Sequence, residues 1–428
     1  MEYKIGSTNI LEKLPLTLEI DGRPYILSKN NDSLPVLFSA ICPHQSGIVS
    51  ELKKEMVRCP NHGWEFDSRN GKALNVPDKC LQVYQVKVEN EFLYVDLPLS
   101  KTKKQIFENG LKIPPKITVV GAAGLLFEWN GLNILSDPWI EGPCMLGGWT
   151  NYPPPGIKVK DLPKIDLIWI SHEHSDHYHE PTLSQFEKNI PVYVTKFDDG
   201  RLAKRIEQLG FTNIIQIKTG EPIRITKDVE LISFKSGSIW NDSISFWKFG
   251  NFTILNCNDA GFNWKIKDTV GEVDLICQQF TGPTSSYPIA WNHLDTKQKK
   301  QILIRQNNGM LKMMDNVAEI CNAKFILPFA NFFELGNPEH LPYMKTQIKN
   351  SLETVVKYFK NKDVKVLDLI PGETWDGLSG KISRIPEREK YFDENFMLNY
   401  LSETYENEKT LGYKPTKFDI THEEIKHY

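Results

Sequence analysis

The chain has 428 residues, enough at roughly 150 residues per domain for two or three domains that each bury a core. Hydrophobic residues make up 40% and charged residues 25%, and 51 Lys+Arg against 54 Asp+Glu leave a net charge of −3. That balance lacks the basic excess of a nucleic-acid binder, although a locally basic pocket is compatible with it. The opening MEYKIGSTNILEKLP has no apolar signal-peptide core, and no apolar run reaches the roughly 18 residues of a bilayer span. Seven cysteines at wide, irregular spacing do not form a secreted disulfide framework, and five of them read as small buried apolar residues. The expectation is a soluble, cytoplasmic protein whose partners include neither nucleic acid nor membrane.

Residues 1–98 read as short strands and turns, with a strand at VLFSAI (36–41) and a hairpin over 81–97 turning around Glu89-Asn90. The charged KTKKQ at 101–105 and Pro114-Pro115 mark a boundary. Beyond Lys116, Asn130-Gly131 predicts a tight hairpin. The strand-like runs DLIWIS, PVYVT, FTILN and FILPF then alternate with helical stretches at 199–209 and 344–360, which predicts an α/β layered domain. PPPG at 153–156 is an ordered-loop or lid candidate, and the charged, aromatic tail from about 386 reads as a helical appendage. There is no internal repeat.

The strongest chemical signal is Cys42-Pro-His44, then fourteen residues, then Cys59-Pro-Asn-His62-Gly-Trp. Two thiolates and two imidazoles at loop tips suit one small inorganic centre. Zinc accepts such a set tetrahedrally, but usually from C-x(2–4)-C or H-x(3–5)-H pairs that feed one ion. A [2Fe–2S] cluster takes the thiolates on one iron and the imidazoles on the other, and Cys-x(1–2)-His pairs reach two different metals in that way. The spacing therefore favours the cluster, with Cys42, His44, Cys59 and His62 as its ligands. The pattern, with CPNHGWEFD at 59–67 and NGKAL at 70–74, resembles a Rieske domain over nearly all of residues 1–98. Respiratory Rieske proteins carry an extra cysteine in each loop. Gly47 and Asn61 stand in those places here, so the resemblance implies the oxygenase or ferredoxin-like branch without that disulfide.

A second site follows the apolar run DLIWIS at 166–171, which leads into His172-Glu-His174-Ser-Asp176-His177. Alternation at a strand end places His172 and His174 on one side, and Asp176 and His177 turn toward a second position. Such a set can hold one or two metal ions. The H-x-H-x-D-H run resembles the second motif of the metallo-β-lactamase fold. Asp137 in LSDPW matches that fold's first motif, and Asp259 in NCNDAG matches its bridging carboxylate. The expected metal set is His172, His174, Asp176, His177 and Asp259, with Asp176 and Asp259 as the catalytic carboxylates. The fold normally adds a histidine near 236–240 and another late in the chain, but SGSIW and LPFANFF contain none. His179 is expected to face solvent beside Pro181, and His293 and His340 are weaker ligand candidates. Trp240, Trp247, Trp264 and Trp291 read as core before pocket lining.

The two sites together, with TGPTSSYPIAW at 281–291 and LPFANFF at 327–333, resemble the CMP-N-acetylneuraminate hydroxylase family along most of the chain. The fold class implied is α/β: a small all-β Rieske domain at 1–100, a linker at 101–115, a metallo-β-lactamase-like αββα sandwich at 116–385, and an appendage at 386–428. The resemblance implies a monooxygenase in which a [2Fe–2S] cluster supplies one or two iron ions that activate O₂ against an N-acyl sugar nucleotide or a related amide or amine. Chemistry supports the redox reading independently, because zinc hydrolysis consumes no electrons. No G-x-G-x-x-G follows any strand, so an external donor is expected: a small electron-transfer protein such as cytochrome b5 or ferredoxin, with its reductase. The alternatives are a zinc metallo-hydrolase with a redox-sensing Rieske domain and a non-catalytic electron carrier.

Overall fold

The computed structural model describes residues 2–20, 23–44, 48–53, 55–60, 63–97, 113–237, 240–263, 265–282, 288–289, 291–344 and 346–408. The expected ligand His62, the positions Gly47 and Asn61, Trp264, most of the expected linker and the tail beyond 408 lie outside the described residues.

The N-terminal part is all-β. A six-stranded antiparallel sheet runs in the order Glu2–Ser7, Phe92–Asp96, Val83–Glu89, Pro35–Ser39, Arg23–Lys29, Leu16–Ile20. A second sheet of three short strands contains Glu51–Leu52, Met56–Arg58 and Glu65–Asp67. The expected hairpin exists, but its turn is one residue later, at Asn90 and Glu91, which both take positive φ. Asn tolerates that conformation, so the turn closes where a side chain with a local hydrogen-bonding option is available. Phe38, Ala40, Val57, Trp64 and Phe66 share one core with Cys42 and Cys59, which are each 1% exposed.

The second part stacks two sheets between helical layers. Ile117, Phe127 and Trp169 of an eight-stranded sheet interlock with Leu231, Trp247 and Ile254 of a seven-stranded sheet in one core. On the outer face of the first sheet, Ile168 and Val192 pack on Leu202 and Ile206 of helix Arg201–Gln208. Helices Thr296–Ile320 and Leu352–Phe359 contribute Met310, Met314, Val317, Val355 and Phe359 to the core from the seven-stranded side. The architecture is the expected αββα sandwich. Leu167–Ile170 is buried at every residue, as a parallel strand covered on both faces must be, which explains its unbroken apolar run; Leu275–Gln279 is buried as fully, yet ends on Gln278 and Gln279.

Three local features refine the expectations. Thr296–Ile320, the 25-residue helix with a reciprocal Asp295/Gln298 capping box, is absent from the sequence reading, because buried Asn307 and Asp315 interrupt its apolar stripe. The helix expected over 344–360 occupies only Leu352–Phe359. Ahead of it the side chain of Asn350 donates to the carbonyls of Phe280 and Asn307, and Ser351 caps the helix. The PPPG stretch takes one of its two expected forms, an ordered loop. At Gly156 a Cβ would lie 2.4 Å from the Cα of Gly372, and the neighbouring Tyr152 hydroxyl donates to the Tyr391 carbonyl. Among the described residues no helix is long and apolar enough to cross a membrane.

Candidate functional site

The N-terminal site is built on two turns. Cys42 and His44 leave the end of Pro35–Ser39, and Cys59 follows Met56–Arg58. The second turn is closed by Cys59 N–H donating to the Trp64 carbonyl at 2.8 Å and Gly63 N–H donating to the Cys59 carbonyl at 3.0 Å. The Trp64 indole lies flat on the His44 imidazole, with centroids 4.7 Å apart and planes 3° apart, which fixes the ring orientation. Cys42 and Cys59 are both free thiols. The hydrogen bond from Cys59, then burial, then the neighbouring sulfur's charge push the Cys42 thiol far above its ordinary range. A buried thiol whose ionisation the neighbouring sulfur suppresses suits a centre whose own positive charge draws off the proton. The described part of the ligand set fits a cluster.

The second site lies where strands Leu167–Ile170 and Phe252–Asn258 end, the usual location of sites in parallel sheets. The rings of His172 and His177 stand 4.0 Å apart, and those of His172 and His174 4.7 Å apart. Asp259 Oδ1 is 3.2 Å from His177 Nε2 and 4.0 Å from His172 Nε2, and Asp176 Oδ2 is 3.4 Å from His177 Nε2. His172 Nε2, His177 Nε2, Asp176 Oδ1 and Asp259 Oδ1 are buried, and none has a hydrogen-bond partner among the described residues. Converging orphaned nitrogens and oxygens are costly unless a cation joins them, so the donor set fits a metal.

The outer contacts orient this set. Asp137 sits fully buried at positive φ just after strand Leu132–Ser136. Its carboxylate accepts from Ser171 N–H at 2.7 Å and Ser171 Oγ at 2.8 Å, and lies 3.1 Å from His177 Nδ1. Ser171 Oγ is 3.0 Å from His172 Nδ1. Both imidazoles are therefore held from behind, with Nε2 facing the site. Burial, aided by the charge on His177, lowers the His172 pKa and keeps its imidazole neutral. Burial also opposes charge on His177, but Asp259, Asp176 and Asp137 outweigh it and raise its pKa. For Asp259 burial again works against ionisation, and the imidazoles of His177 and His172 override it and hold the carboxyl below the usual range.

Two groups of three residues bring ligand atoms within 4.8 Å of one another: His172, His177 and Asp259, and His172, His174 and Asp242. His172 is common to both. Asp242, 6% exposed, is the residue the sequence reading missed. It lies just past the stretch where a histidine was sought, and Ser243 beside it donates from Oγ to the Ser171 carbonyl, which draws its strand against the histidine loop. A lone carboxylate two positions past that stretch carries no signal of its own. His179 is corrected as well. It is 2% exposed, its Nδ1 lies 2.8 Å from Thr182 Oγ1 and its Nε2 3.1 Å from the Pro143 carbonyl, so it caps helix Glu180–Leu183 with both nitrogens engaged. His293 is exposed and stacks on Trp291. Of the tryptophans, Trp247 is core, whereas Trp240 is 59% exposed with its ring 6.3 Å from that of His174.

The chain carries a Rieske [2Fe–2S] domain, matched over residues 2–85, and a β-lactamase superfamily domain, matched over 132–314. It is similar to proteins named cytidine monophosphate-N-acetylneuraminic acid hydroxylase. The one from Pan troglodytes is 26% identical over 387 residues, covering 83% of this chain and 63% of that protein. The one from Asterias rubens is 28% identical over 360 residues, covering 78% and 54%. The chain thus spans between about half and two thirds of the length of these relatives. Among solved structures, the diiron β-hydroxylase CmlA from Streptomyces venezuelae matches at a TM-score of 0.40 and 16% identity, over 65% of this chain and 55% of that one. The domain pair and the hydroxylase relatives agree with the resemblance read from the sequence.

Proposed function

We propose that the chain is a Rieske-dependent iron hydroxylase. In this reading residues 1–100 hold a [2Fe–2S] cluster on Cys42, His44, Cys59 and His62, and residues 116–385 hold one or two irons on His172, His174, Asp176, His177 and Asp259, with Asp242 added. The observation that carries the reading is the fusion of a one-electron carrier to a nitrogen- and oxygen-lined metal site in a chain similar to named hydroxylases. Iron bound there supplies the O₂ chemistry, at the expense of electrons arriving one at a time from an external donor such as cytochrome b5 or a ferredoxin.

The chain's own residues do the rest. Asp137 and Ser171 hold His177 and His172 at fixed angles. Burial keeps His172 neutral, so its lone pair is ready for a metal without first losing a proton. Asp259, kept ionised by its imidazole neighbours, and Asp176, with Oδ1 buried, are the carboxylates placed to hold or move a proton at the centre. Trp240 offers an exposed aromatic face beside His174 for a substrate ring. The substrate class is an N-acyl sugar nucleotide, with CMP-linked N-acetyl sialic acid as the first to test, or a related amide or amine.

The test is isotopic. Iron-loaded protein given a one-electron donor, ¹⁸O₂ and CMP-linked N-acetylneuraminate should return a product heavier by one ¹⁸O atom on the N-acyl group. Donor-independent turnover of zinc-loaded protein with label from water would make it a hydrolase instead. The outer contacts give a second expectation. Asp137→Ala removes the acceptor of Ser171 and the partner of His177 Nδ1, and should weaken metal retention at this site by about 10- to 100-fold while leaving the cluster absorbance unchanged. Competition with a graded chelator series measures this, and unaltered retention would remove Asp137 from its supporting role.

A further inference from the structure

Among the described residues, the two parts of the chain come together at a close backbone contact. A Cβ at Gly237 would stand 2.7 Å from the His44 carbonyl oxygen and 2.9 Å from that of Pro43. These are backbone atoms, which cannot swing aside as a flexible side chain can. Gly237 therefore lets the Cys42–His44 turn lie directly on the second domain, as glycine does where another backbone must approach.

What this turn rests on leads to the other centre. Ser236 N–H donates to the Asp242 carbonyl at 2.9 Å, so the residue beside Gly237 lies directly against Asp242. Residues 240–242 have distinct roles. Trp240 has its ring 6.3 Å from that of His174. Asn241 donates from Nδ2 to Asp199 Oδ2 at 2.8 Å, which anchors this stretch. Asp242 shares one metal-competent group with His172 and His174. Gly237 thus touches a candidate cluster ligand, and Asp242 supplies a candidate ligand to the second metal.

Resting on the iron-hydroxylase reading, we propose that Gly237 is a positioning residue for electron transfer within one chain. Its missing side chain seats the Pro43–His44 backbone on the segment that leads to Trp240 and Asp242, and the electron crosses this contact. The balance is one for one: the reduced cluster loses one electron, one ferric ion held by His172, His174 and Asp242 becomes ferrous, and an external one-electron donor refills the cluster. No proton moves in this step.

The experiment needs neither substrate nor product, so it can fail while hydroxylation stands, and it can succeed if the substrate assignment fails. Full-length protein with an oxidised cluster and ferric iron in the second site receives a substoichiometric electron from a photoreductant, and the cluster absorbance is followed. In the natural sequence the reduced cluster should reoxidise with a first-order rate that does not change on protein dilution. Zinc in the second site should abolish that decay. Gly237→Ala, and more strongly Gly237→Val, should slow it severalfold, because the added Cβ pushes the Pro43–His44 backbone away and electron tunnelling weakens with distance. Metal content and cluster potential should be unchanged in both variants, which a merely structural role for Gly237 would not predict. A rate proportional to protein concentration would overturn the proposal, because the electron would then pass between molecules. An unchanged rate in both variants would overturn it equally. If neither variant folds, the dilution series on the natural protein decides.

Discussion

Cys42→Ser and Cys59→Ser are each expected to lose the whole cluster signature: about two irons, two acid-labile sulfides and the low-field spectrum of a histidine-ligated [2Fe–2S] centre. The effect should be complete because of where the two sulfurs sit. Each residue is 1% exposed, within a core formed with Phe38, Val57, Trp64 and Phe66, all of them apolar side chains that cannot take over the vacated position. Serine keeps the volume of the side chain but not its acidity, and a buried hydroxyl gives up its proton far less readily than a thiol. The remaining cysteine then lies buried without its partner. The fold around it should survive, since the backbone bonds of Cys59 to Trp64 and Gly63 close the turn whatever the side chain. Iron and sulfide analysis, with far-ultraviolet dichroism as a control, checks this. Full spectral retention in either variant would sink the cluster assignment.

His172→Ala is expected to have the largest effect on the second centre, larger than His174→Ala. His172 belongs to both metal-competent groups, whereas His174 belongs to one. Removing His172 takes a nitrogen from each group, and leaves Ser171 Oγ without the Nδ1 that it faces at 3.0 Å. Removing His174 leaves His172, His177 and Asp259 in place. Metal analysis should therefore find the second site emptied in His172→Ala and partly filled in His174→Ala. In His172→Ala the cluster should remain reducible by an external donor, while product formation falls to background. Equal metal loss in the two variants would mean that His172 is not shared, and turnover in His172→Ala would place the chemistry elsewhere.

The legibility of the two centres differs for a physical reason. Cys42 and His44, like His172, His174, Asp176 and His177, are neighbours in the chain. Their ligand geometry follows from a turn or a strand end of a few residues, and a few residues are readable as a string. Asp137 and Asp259 were legible only as fragments of motifs; their roles depend on strand ends that are brought beside the histidine loop by sheet pairing and packing. Asp242 was not legible at all. Nothing in NDS at 241–243 marks it as a ligand, and the hydrogen bond from Ser243 to the Ser171 carbonyl that delivers it spans 72 residues of chain.

Fold prediction divides in the same way. The apolar run of a parallel strand such as Leu167–Ile170 could be read directly, because burial on both faces leaves no polar position there to blur it. Helix Thr296–Ile320 could not, because it buries Asn307, whose side chain receives Thr281 Oγ1 and Gly282 N–H and donates to the Ile348 carbonyl. A buried amide looks like a surface residue until its partners are known. The sequence by itself determined the pair of domains and the candidate ligand residues in the two motifs, because these reside in short strings whose spacing is set by covalent geometry. Only the tertiary structure decided that Asp242 joins the histidines, that His179 is spent on a helix cap, and that Gly237 lies against Pro43 and His44. Each of those outcomes depends on which distant backbone arrives at the same place, and packing settles that across the whole chain.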